Sequence, residues 1–308
     1  MRLAIIDMGT NTFNLIVGEL QEDSLRVVYQ NRIFVKIGKD GISKGLITDD
    51  AIERMMKTLI ELKKDAARFN VSDITATATS AMRSAKNGQE LVEKIYNELG
   101  ITVTTIDGEE EARLIYTGVK TALNLSKTPS LILDIGGGSV EFILADNVDI
   151  LWKKSFEIGA QRLYDKFHND DPISVNSISH LNAYLEDVLD EVSDQVLALK
   201  PKTIIGCAGT FSTIKTIHCL QEGTLDKISI PDYPMSIGSY LAIHEEIISK
   251  NLEERIAIPG MLEERADMIV VASCIVSYLL ENFAFDKIRI TTAALKDGLL
   301  WEKLNEVE

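Results

Sequence analysis

Two short segments of this chain carry an aspartate, a glycine and then small polar residues. Asp7 and Gly9 stand in LAIIDMGTNTFNLIVG, and Asp134 and Gly136 stand in LILDIGGGSVEFILA. A carboxylate at the end of an apolar strand is a suitable ligand for a hard divalent cation. Glycine and small residues after it leave backbone N–H groups uncovered, so that the turn can hold phosphate oxygens. The two segments together predict a site for phosphate and a metal ion.

Three turns carry residues that are expected to bind phosphate. They are Thr10, Asn11 and Thr12 in the first turn, Gly136, Gly137, Gly138 and Ser139 in the second, and Gly209 and Thr210 in the third. The third turn, GCAGT, joins a predicted strand to a predicted helix, whose N-terminal N–H groups favour an anion. Each turn alone also fits an ordinary glycine turn, but two matching copies favour phosphate binding.

Acidic and basic side chains that suit hydrolysis lie elsewhere in the first half. Glu109, Glu110 and Glu111 stand at the predicted start of a helix, where the helix dipole stabilises carboxylates. They fit either a general base or a simple capped and solvated helix end. Arg83 follows a predicted strand, and a guanidinium there can fork onto phosphate oxygens. A surface arginine is the alternative, and the residues alone leave both choices open.

The two aspartate turns are parts of one internal repeat. When the two segments are superposed, Asp7 falls on Asp134 and Thr12 falls on Ser139. Each copy reads as an apolar strand, a turn and a second apolar strand, and segments with helical periodicity follow. Such a repeat predicts a mixed α/β protein of two similar lobes, with the active site in the cleft between them.

A polar stretch at 124–130 separates the two halves. The first lobe is expected to comprise residues 1–123 and the second residues 124–308. A helix predicted near 293–304 is expected to return and pack on the first lobe. Other helices are expected at 173–199, 210–220 and 262–282.

The composition is that of an ordinary globular protein. The chain has 308 residues, a formal net charge of −15, 45% hydrophobic residues and 3 cysteines. The acidic charge argues against binding to DNA or to membrane surfaces, and the few cysteines imply no disulfide framework. The apolar run before Asp7 is too short for a signal peptide. We therefore expect a cytoplasmic protein.

Three longer segments carry a resemblance to a known family. They are TATSAMRSAKNG (Thr77–Gly88), IDGEEEARLIYTGV (Ile106–Val119) and LDIGGGSVEFIL (Leu133–Leu144). With the two-lobed repeat, they resemble the short form of the exopolyphosphatase and guanosine pentaphosphate phosphatase family, within the superfamily of actin and the sugar kinases. The resemblance implies two actin-like, ribonuclease H-like lobes. It also implies a hydrolase that releases terminal phosphate from inorganic polyphosphate, and that converts guanosine pentaphosphate (pppGpp) to the tetraphosphate (ppGpp).

The resemblance assigns roles to particular residues. Glu111 would be the catalytic glutamate, with Glu110 as the alternate, and Arg83 would hold the terminal phosphoryl group. Asp134 would bind Mg²⁺, or Mn²⁺ in its place, and Asp7 would contact the metal through water.

Other positions follow or depart from the family pattern. Asn87 matches an asparagine of the arginine motif and is expected to bind phosphate. Asn14 stands where Arg or His is frequent, and Lys296 and Asp297 stand where Arg and Glu are usual. Arg265, in the segment EERAD, is expected to be structural.

Several alternatives stay open on the sequence alone. The basic segment from Arg26 to Lys44 is expected either to guide an anionic substrate or to form a solvated surface. The function could instead be that of an ATP-hydrolysing or kinase-like enzyme of the same fold, or of a non-catalytic sensor of guanosine tetra- or pentaphosphate. A homodimer is also open, because long apolar helices fit either a core or an interface.

Overall fold

The computed structural model describes residues 2–21, 24–71 and 73–306. Its strands are β1 (Arg2–Met8), β2 (Thr12–Gln21), β3 (Ser24–Phe34), β4 (Asp73–Ala78), β5 (Thr102–Thr105), β6 (Ser130–Ile135), β7 (Val140–Ala145), β8 (Ile150–Phe156), β9 (Thr203–Cys207), β10 (Tyr233–Met235) and β11 (Lys287–Ile290). Its α-helices are α1 (Asp49–Ala67), α2 (Ser80–Ser84), α3 (Gly88–Leu99), α4 (Gly108–Ala122), α5 (Ala160–Phe167), α6 (Val175–Val188), α7 (Asp190–Leu199), α8 (Ala208–Gln221), α9 (Ile237–Ile248), α10 (Leu252–Ile256), α11 (Ile269–Asn282) and α12 (Leu295–Asn305). No helix in these ranges is long and apolar enough to cross a membrane.

The first sheet contains five strands in the order β3-β2-β1-β4-β5. Tight connections make β1, β2 and β3 antiparallel, whereas β4 and β5 run parallel to β1. Parallel neighbours need a crossover, which α1 and α3 provide. At the end of β1, Asp7 pairs with Asn14 on one side and with Thr77 on the other. This register delivers the Asp7 carboxylate to the edge of the sheet where the first turn begins.

The second sheet repeats this arrangement. Its order is β10-β11-β9-β6-β7-β8, so that β8, β7, β6, β9 and β11 take the places of β3, β2, β1, β4 and β5, with β10 as an added edge strand. At the end of β6, Asp134 pairs with Glu141 and with Cys207. The prediction of two similar α/β lobes is confirmed, and both lobes share the ribonuclease H-like strand order.

Two helices lie between the sheets, and each packs on the sheet of the other half of the chain. α4, from the first half, contacts β7 and β8, whereas α12, at the end of the chain, contacts β1, β2 and α4. Their apolar side chains join one face of each sheet in a single buried core, which includes Leu3, Ile5, Ile132 and Ile143. Burial of this apolar surface stabilises the contact between the lobes. The boundary expected at 123/124 falls directly after α4.

α4 and α12 approach each other closely at two glycines. A Cβ on Gly118 would lie 2.3 Å from the Ala294 carbonyl oxygen, and a Cβ on Gly298 would lie 2.0 Å from the Leu114 carbonyl oxygen. Real Cβ atoms essentially never approach other atoms within 3.0 Å, so only glycine allows the two backbones to lie this near. The contact fixes α12 against the helix whose first turn carries Glu111.

Several helix boundaries differ from the sequence expectation. The helix expected over 173–199 is divided into α6 and α7, because Leu189 has φ −98° and ψ 18°. α8 begins at Ala208 instead of residue 210. α11 begins at Ile269 instead of residue 262, because Leu262 is extended, with φ −88° and ψ 126°. Apolar residues continue at helical spacing through Leu189, so hydrophobic periodicity does not locate the division between α6 and α7.

Candidate active site

The two aspartate turns adopt the same backbone geometry. In the first turn, the Gly9 N–H donates to the Thr12 carbonyl at 3.1 Å, and in the second the Gly136 N–H donates to the Ser139 carbonyl at 3.0 Å. A Cβ on Gly9 or Gly136 would lie 2.9 or 3.1 Å from the same carbonyl oxygen. The two turns therefore leave little room for a side chain at equivalent positions of the repeat.

The two turns face each other across the cleft between the lobes. A Cβ on Gly137 would lie 2.4 Å from the Asn11 side chain, and a Cβ on Gly138 would lie 2.6 Å from the Thr10 hydroxyl. The cleft has a volume of about 720 Å³. Its lining includes Asp7, Thr10, Asn11, Thr12, Glu111, Asp134, Gly136, Gly137, Gly138, Ser139, Gly209 and Thr210. The structure thus brings together both aspartates and all three turns to which we assigned phosphate binding.

Asp7 and Asp134 are buried in this cleft, and burial raises the pKa of both carboxyl groups. The pKa of Asp7 rises to about 7; a 3.0 Å hydrogen bond from Asn14 opposes the rise, and the charge of Asp134 adds to it. The pKa of Asp134 rises to about 6, with the Cys207 thiol and the charge of Lys296 opposing the rise. Two buried like charges of this kind are stabilised by a divalent cation between them.

The donor set suits a hard cation that keeps several water ligands. Asp7 and Asp134 supply carboxylate oxygens, whereas no group of three His, Cys, Asp or Glu side chains in the described part of the chain could enclose an ion. Mg²⁺ is usually bound by one or two carboxylates, waters and substrate phosphates instead of a complete protein cage. The residues present therefore fit Mg²⁺ or a similar ion.

Glu141 is a site residue that the sequence analysis did not single out. It lies on β7 opposite Asp134, is only 1% exposed, and accepts a 2.7 Å hydrogen bond from the Ser155 hydroxyl. Burial, followed by the charge of Asp134, raises the pKa of Glu141 to about 8. Its signal in the sequence is a single glutamate inside an otherwise apolar strand, at the position that Asn14 occupies in the first repeat.

Glu111 is buried in the first turn of α4 and lines the cleft. The helix begins there because the Asp107 carboxylate caps it, accepting the Glu110 N–H at 2.8 Å. Burial and the charge of Glu141 raise the pKa of Glu111 well above its ordinary value, and the charge of Arg83 opposes this rise. A carboxyl group with a raised pKa beside phosphate-binding turns suits a general base.

Arg83 lies beside Glu111 and outside the cleft lining in the described residues. Its Nη1 donates to Glu111 Oε2 at 3.1 Å and to the Ile106 carbonyl at 3.0 Å. Its Nη2 donates to Glu157 Oε1 at 2.9 Å. The structure therefore directs this guanidinium to the glutamate and not to the phosphate turns.

Glu110 and Asn87 also lie outside the cleft lining in the ranges that the structure describes. Glu110 forms a 2.7 Å ion pair with Arg113, which in turn pairs with Glu302 of α12. Asn87 uses both ends of its amide on Ile47, accepting from the backbone N–H at 3.1 Å and donating to the carbonyl at 2.8 Å. Of the adjacent glutamates 110 and 111, the structure thus brings only Glu111 to the turns.

Arg265, which we expected to be structural, lines the cleft, and its guanidinium lies against the third turn. A Cβ on Gly209 would lie 1.8 Å from its Nη2, so the guanidinium covers the start of α8. It also lies over the Phe34 ring, 5.3 Å from the centroid. Its Nε is buried without a hydrogen-bond partner among the described residues, and burial lowers its pKa to about 10. An unpaired buried donor on a cation in this cleft suits an anionic ligand.

The basic segment from Arg26 to Lys44 does not form one continuous surface toward the cleft. Arg32 lines the cleft, whereas Lys36 forms a 2.9 Å ion pair with Asp267 of the second lobe. Lys39 and Lys44 are exposed. The charge of Lys36 is thus paired with a carboxylate of the other lobe. That the segment guides an anionic substrate stays a prediction.

Comparison with known proteins identifies the family. The family model described as the Ppx/GppA phosphatase family matches residues 16–307. The chain belongs to the Ppx/GppA phosphatase family. A solved structure of an exopolyphosphatase from Cytophaga hutchinsonii aligns with 100% of this chain and 99% of its own, with a TM-score of 0.96 and 37% identity. The Ppx/GppA resemblance and the fold expected from it are therefore confirmed.

Two curated relatives match nearly all of this Ppx/GppA chain. The bifunctional 3-dehydroquinate synthase/phosphatase of Fusobacterium nucleatum is 28% identical over 99% of this chain and 46% of its own length. The guanosine-5'-triphosphate,3'-diphosphate pyrophosphatase of Pseudoalteromonas translucida is 25% identical over 99% of this chain and 59% of its own length. The chain thus spans about half the length of these two relatives.

The raised pKa values predict that the protein in EDTA loses stability as the pH rises. In the folded state the pKa values of Asp7, Asp134 and Glu141 are about 7, 6 and 8, against 3.8 to 4.5 for the unperturbed groups. Folding therefore favours the protonated carboxyls. Their stabilising contribution is complete below about pH 4 and is lost as the pH rises through about 6 to 8.

Thermal unfolding in EDTA tests this pH dependence. We expect Tm to fall by on the order of 5 °C or more between about pH 5.5 and about pH 8.5. Excess Mg²⁺ should reverse part of the fall, and Asp7→Asn combined with Asp134→Asn should make the pH dependence weaker. A Tm that stays constant over this range in EDTA would contradict the raised pKa values.

Proposed function

We propose that this chain is a metal-dependent hydrolase that releases terminal orthophosphate from inorganic polyphosphate. The observation that carries the proposal is the burial of Glu111 beside two opposed aspartate turns in one interlobe cleft. Hydrolysis of a phosphoanhydride requires mainly positioning and neutralisation of charge, which such a cleft supplies. The names of the relatives, an exopolyphosphatase and a pyrophosphatase acting on a guanosine phosphate, support the same chemistry.

Different groups of the chain bind the phosphate, activate the attacking water and hold the metal ion. The N–H groups of the two turns bind oxygens of the terminal phosphoryl group. Glu111 accepts a proton from the attacking water and holds that water in line with the phosphoanhydride bond. Arg83 orients Glu111 through the Nη1 contact and favours its ionised form. Mg²⁺ or Mn²⁺, held by Asp134 directly and by Asp7 through water, would neutralise the phosphate oxygens.

We propose pppGpp as a second substrate, because its 5′ end carries a terminal anhydride of the same kind. The Arg265 guanidinium covers Gly209 at the start of α8 and supplies a positive charge for a polyanion next to the third turn. A buried carboxyl group with a raised pKa at Glu111 speaks against a purely non-catalytic sensor, which needs no general base.

Release of phosphate from three substrates tests the proposal. Polyphosphate, pppGpp and ATP are each incubated with the full chain in Mg²⁺, in Mn²⁺ and in EDTA, with Glu111→Gln as the background. We expect release from polyphosphate and pppGpp that is at least about tenfold faster than from ATP, and that EDTA abolishes. ATP as the best substrate would favour the kinase-like alternative. Binding of pppGpp without phosphate release would favour the sensor.

A further inference from the structure

A carboxylate of the second lobe contacts the first lobe at the edge of the cleft. Glu157 follows β8, and its Oε1 accepts from Arg83 Nη2 at 2.9 Å, while its Oε2 accepts from Ser80 Oγ at 2.6 Å. Within its own lobe, Arg162 Nη2 donates to Oε2 at 2.8 Å. Donors from both lobes therefore converge on one side chain.

The segment that carries Glu157 is hydrogen-bonded to the second phosphate turn. The N–H groups of residues 159–161 donate to carbonyls of the turn at 136–138, at distances of 2.9 to 3.1 Å. Arg162 Nε donates to the Gly138 carbonyl at 2.9 Å. The position of Glu157 is thus set by the turn itself, and a shift of the second lobe moves turn and carboxylate together.

Arg83 connects this contact to Glu111. One terminal nitrogen, Nη1, donates to Glu111 Oε2, and the other, Nη2, donates to Glu157 Oε1. The guanidinium is planar and holds its donors in a fixed fork, so that fixing one nitrogen orients the other. The side chain of Arg83 is only 20% exposed, which limits competition from water for these donors.

We propose that Glu157 is a positioning residue that, through Arg83, orients Glu111 for catalysis when the two lobes are in contact. The inference rests on the proposed function, because it takes Glu111 as the general base. Glu157 contacts no reacting atom, so its removal acts on the rate of the chemical step and not on substrate binding. Closure of the cleft and alignment of the base are then a single event.

A second ion pair between the lobes provides a matched control. Lys36 binds Asp267 at 2.9 Å across the lobes, as Arg83 binds Glu157. Glu157→Gln and Asp267→Asn each remove one negative charge from such a pair and keep the shape of the side chain. Effects common to both variants report a loosened contact between the lobes, whereas an effect specific to Glu157 reports its connection to Glu111.

Steady-state hydrolysis of polyphosphate separates the two variants. We expect Glu157→Gln to lower kcat about tenfold with less than about a twofold change in KM. Asp267→Asn should leave kcat within about twofold. In an Arg83→Met background, adding Glu157→Gln should have no further effect on kcat, because the residue through which Glu157 acts is absent.

Three results would overturn the inference: an unchanged kcat in Glu157→Gln, equal losses of kcat in the two variants, or losses that add to that of Arg83→Met. If the Tm of Glu157→Gln shows that it does not fold, Glu157→Asp, which keeps the charge on a shorter side chain, is taken through the same comparison. Failure of the proposed function is distinct, because the unaltered protein would then release no phosphate from polyphosphate.

Discussion

Replacing Glu111 by glutamine is expected to lower kcat for polyphosphate hydrolysis by about 10²–10⁴-fold. Glutamine keeps the size of the side chain and still offers an oxygen to Arg83 Nη1, but it cannot take a proton from the attacking water. The turns that bind phosphate are unchanged, so KM should change by less than about threefold. Phosphate release at saturating polyphosphate measures the effect.

Glu110→Gln is the matched control for this variant. Glu110 is the neighbouring residue, and its ion pair with Arg113 lies outside the cleft lining in the described residues. We expect it to keep kcat within about twofold. Because burial raises the pKa of Glu111, kcat of the unaltered protein should rise with pH as this carboxyl ionises, and Glu111→Gln should remove that rise. Full activity in Glu111→Gln, or equal losses in both variants, would exclude Glu111 as the base.

Asp134→Asn is expected to have the second largest effect, a loss of about 10²–10³-fold in kcat. An amide is a weaker ligand than a carboxylate for a hard cation, and the change removes a buried negative charge from the centre of the cleft. The Mg²⁺ concentration that gives half-maximal activity should therefore rise at least about tenfold. A Mg²⁺ titration of phosphate release measures both quantities.

Asp7→Asn and Asp165→Asn are the comparison variants for Asp134→Asn. Asp7 is expected to contact the ion through water, so its variant should lose less activity than Asp134→Asn. Asp165 is exposed on α5 and binds the Ser43 hydroxyl, so its variant should behave as the unaltered protein. A larger loss in Asp7→Asn than in Asp134→Asn would reverse the assignment of the two aspartates.

The internal repeat explains why so much of the cleft could be predicted from the sequence. Asp7, Asp134 and the glycines after them sit at strand ends, and a strand end fixes the side-chain position within a residue or two. Two copies of the pattern also predict two lobes of similar topology. Glu111 required more, because only the family motif distinguishes it from Glu110, and the structure separates the two by burial.

The remaining features depend on contacts between distant segments. A lone glutamate in an apolar strand marks Glu141 in the sequence, but its place in the site follows from the register that sets it opposite Asp134. The contact of Arg265 with Gly209 joins residues from two separate turns of the second lobe. The placement of α4 on the second sheet leaves no local signal, because an amphipathic helix does not indicate which sheet it covers. Tertiary packing, and not local propensity, decides these positions.

The exchange of α4 and α12 makes the two halves of the chain incomplete on their own. A fragment ending at residue 123 would carry α4 without β7 and β8, and would leave Leu3 and Ile5 on a bare sheet face that α12 normally covers. A fragment that begins at residue 124 would carry α12 without β1 and β2, and it would lack the α4 helix that covers β7 and β8. Although each half contains a full set of strands for its lobe, we expect neither half to fold on its own, because each needs the helix that the other half supplies.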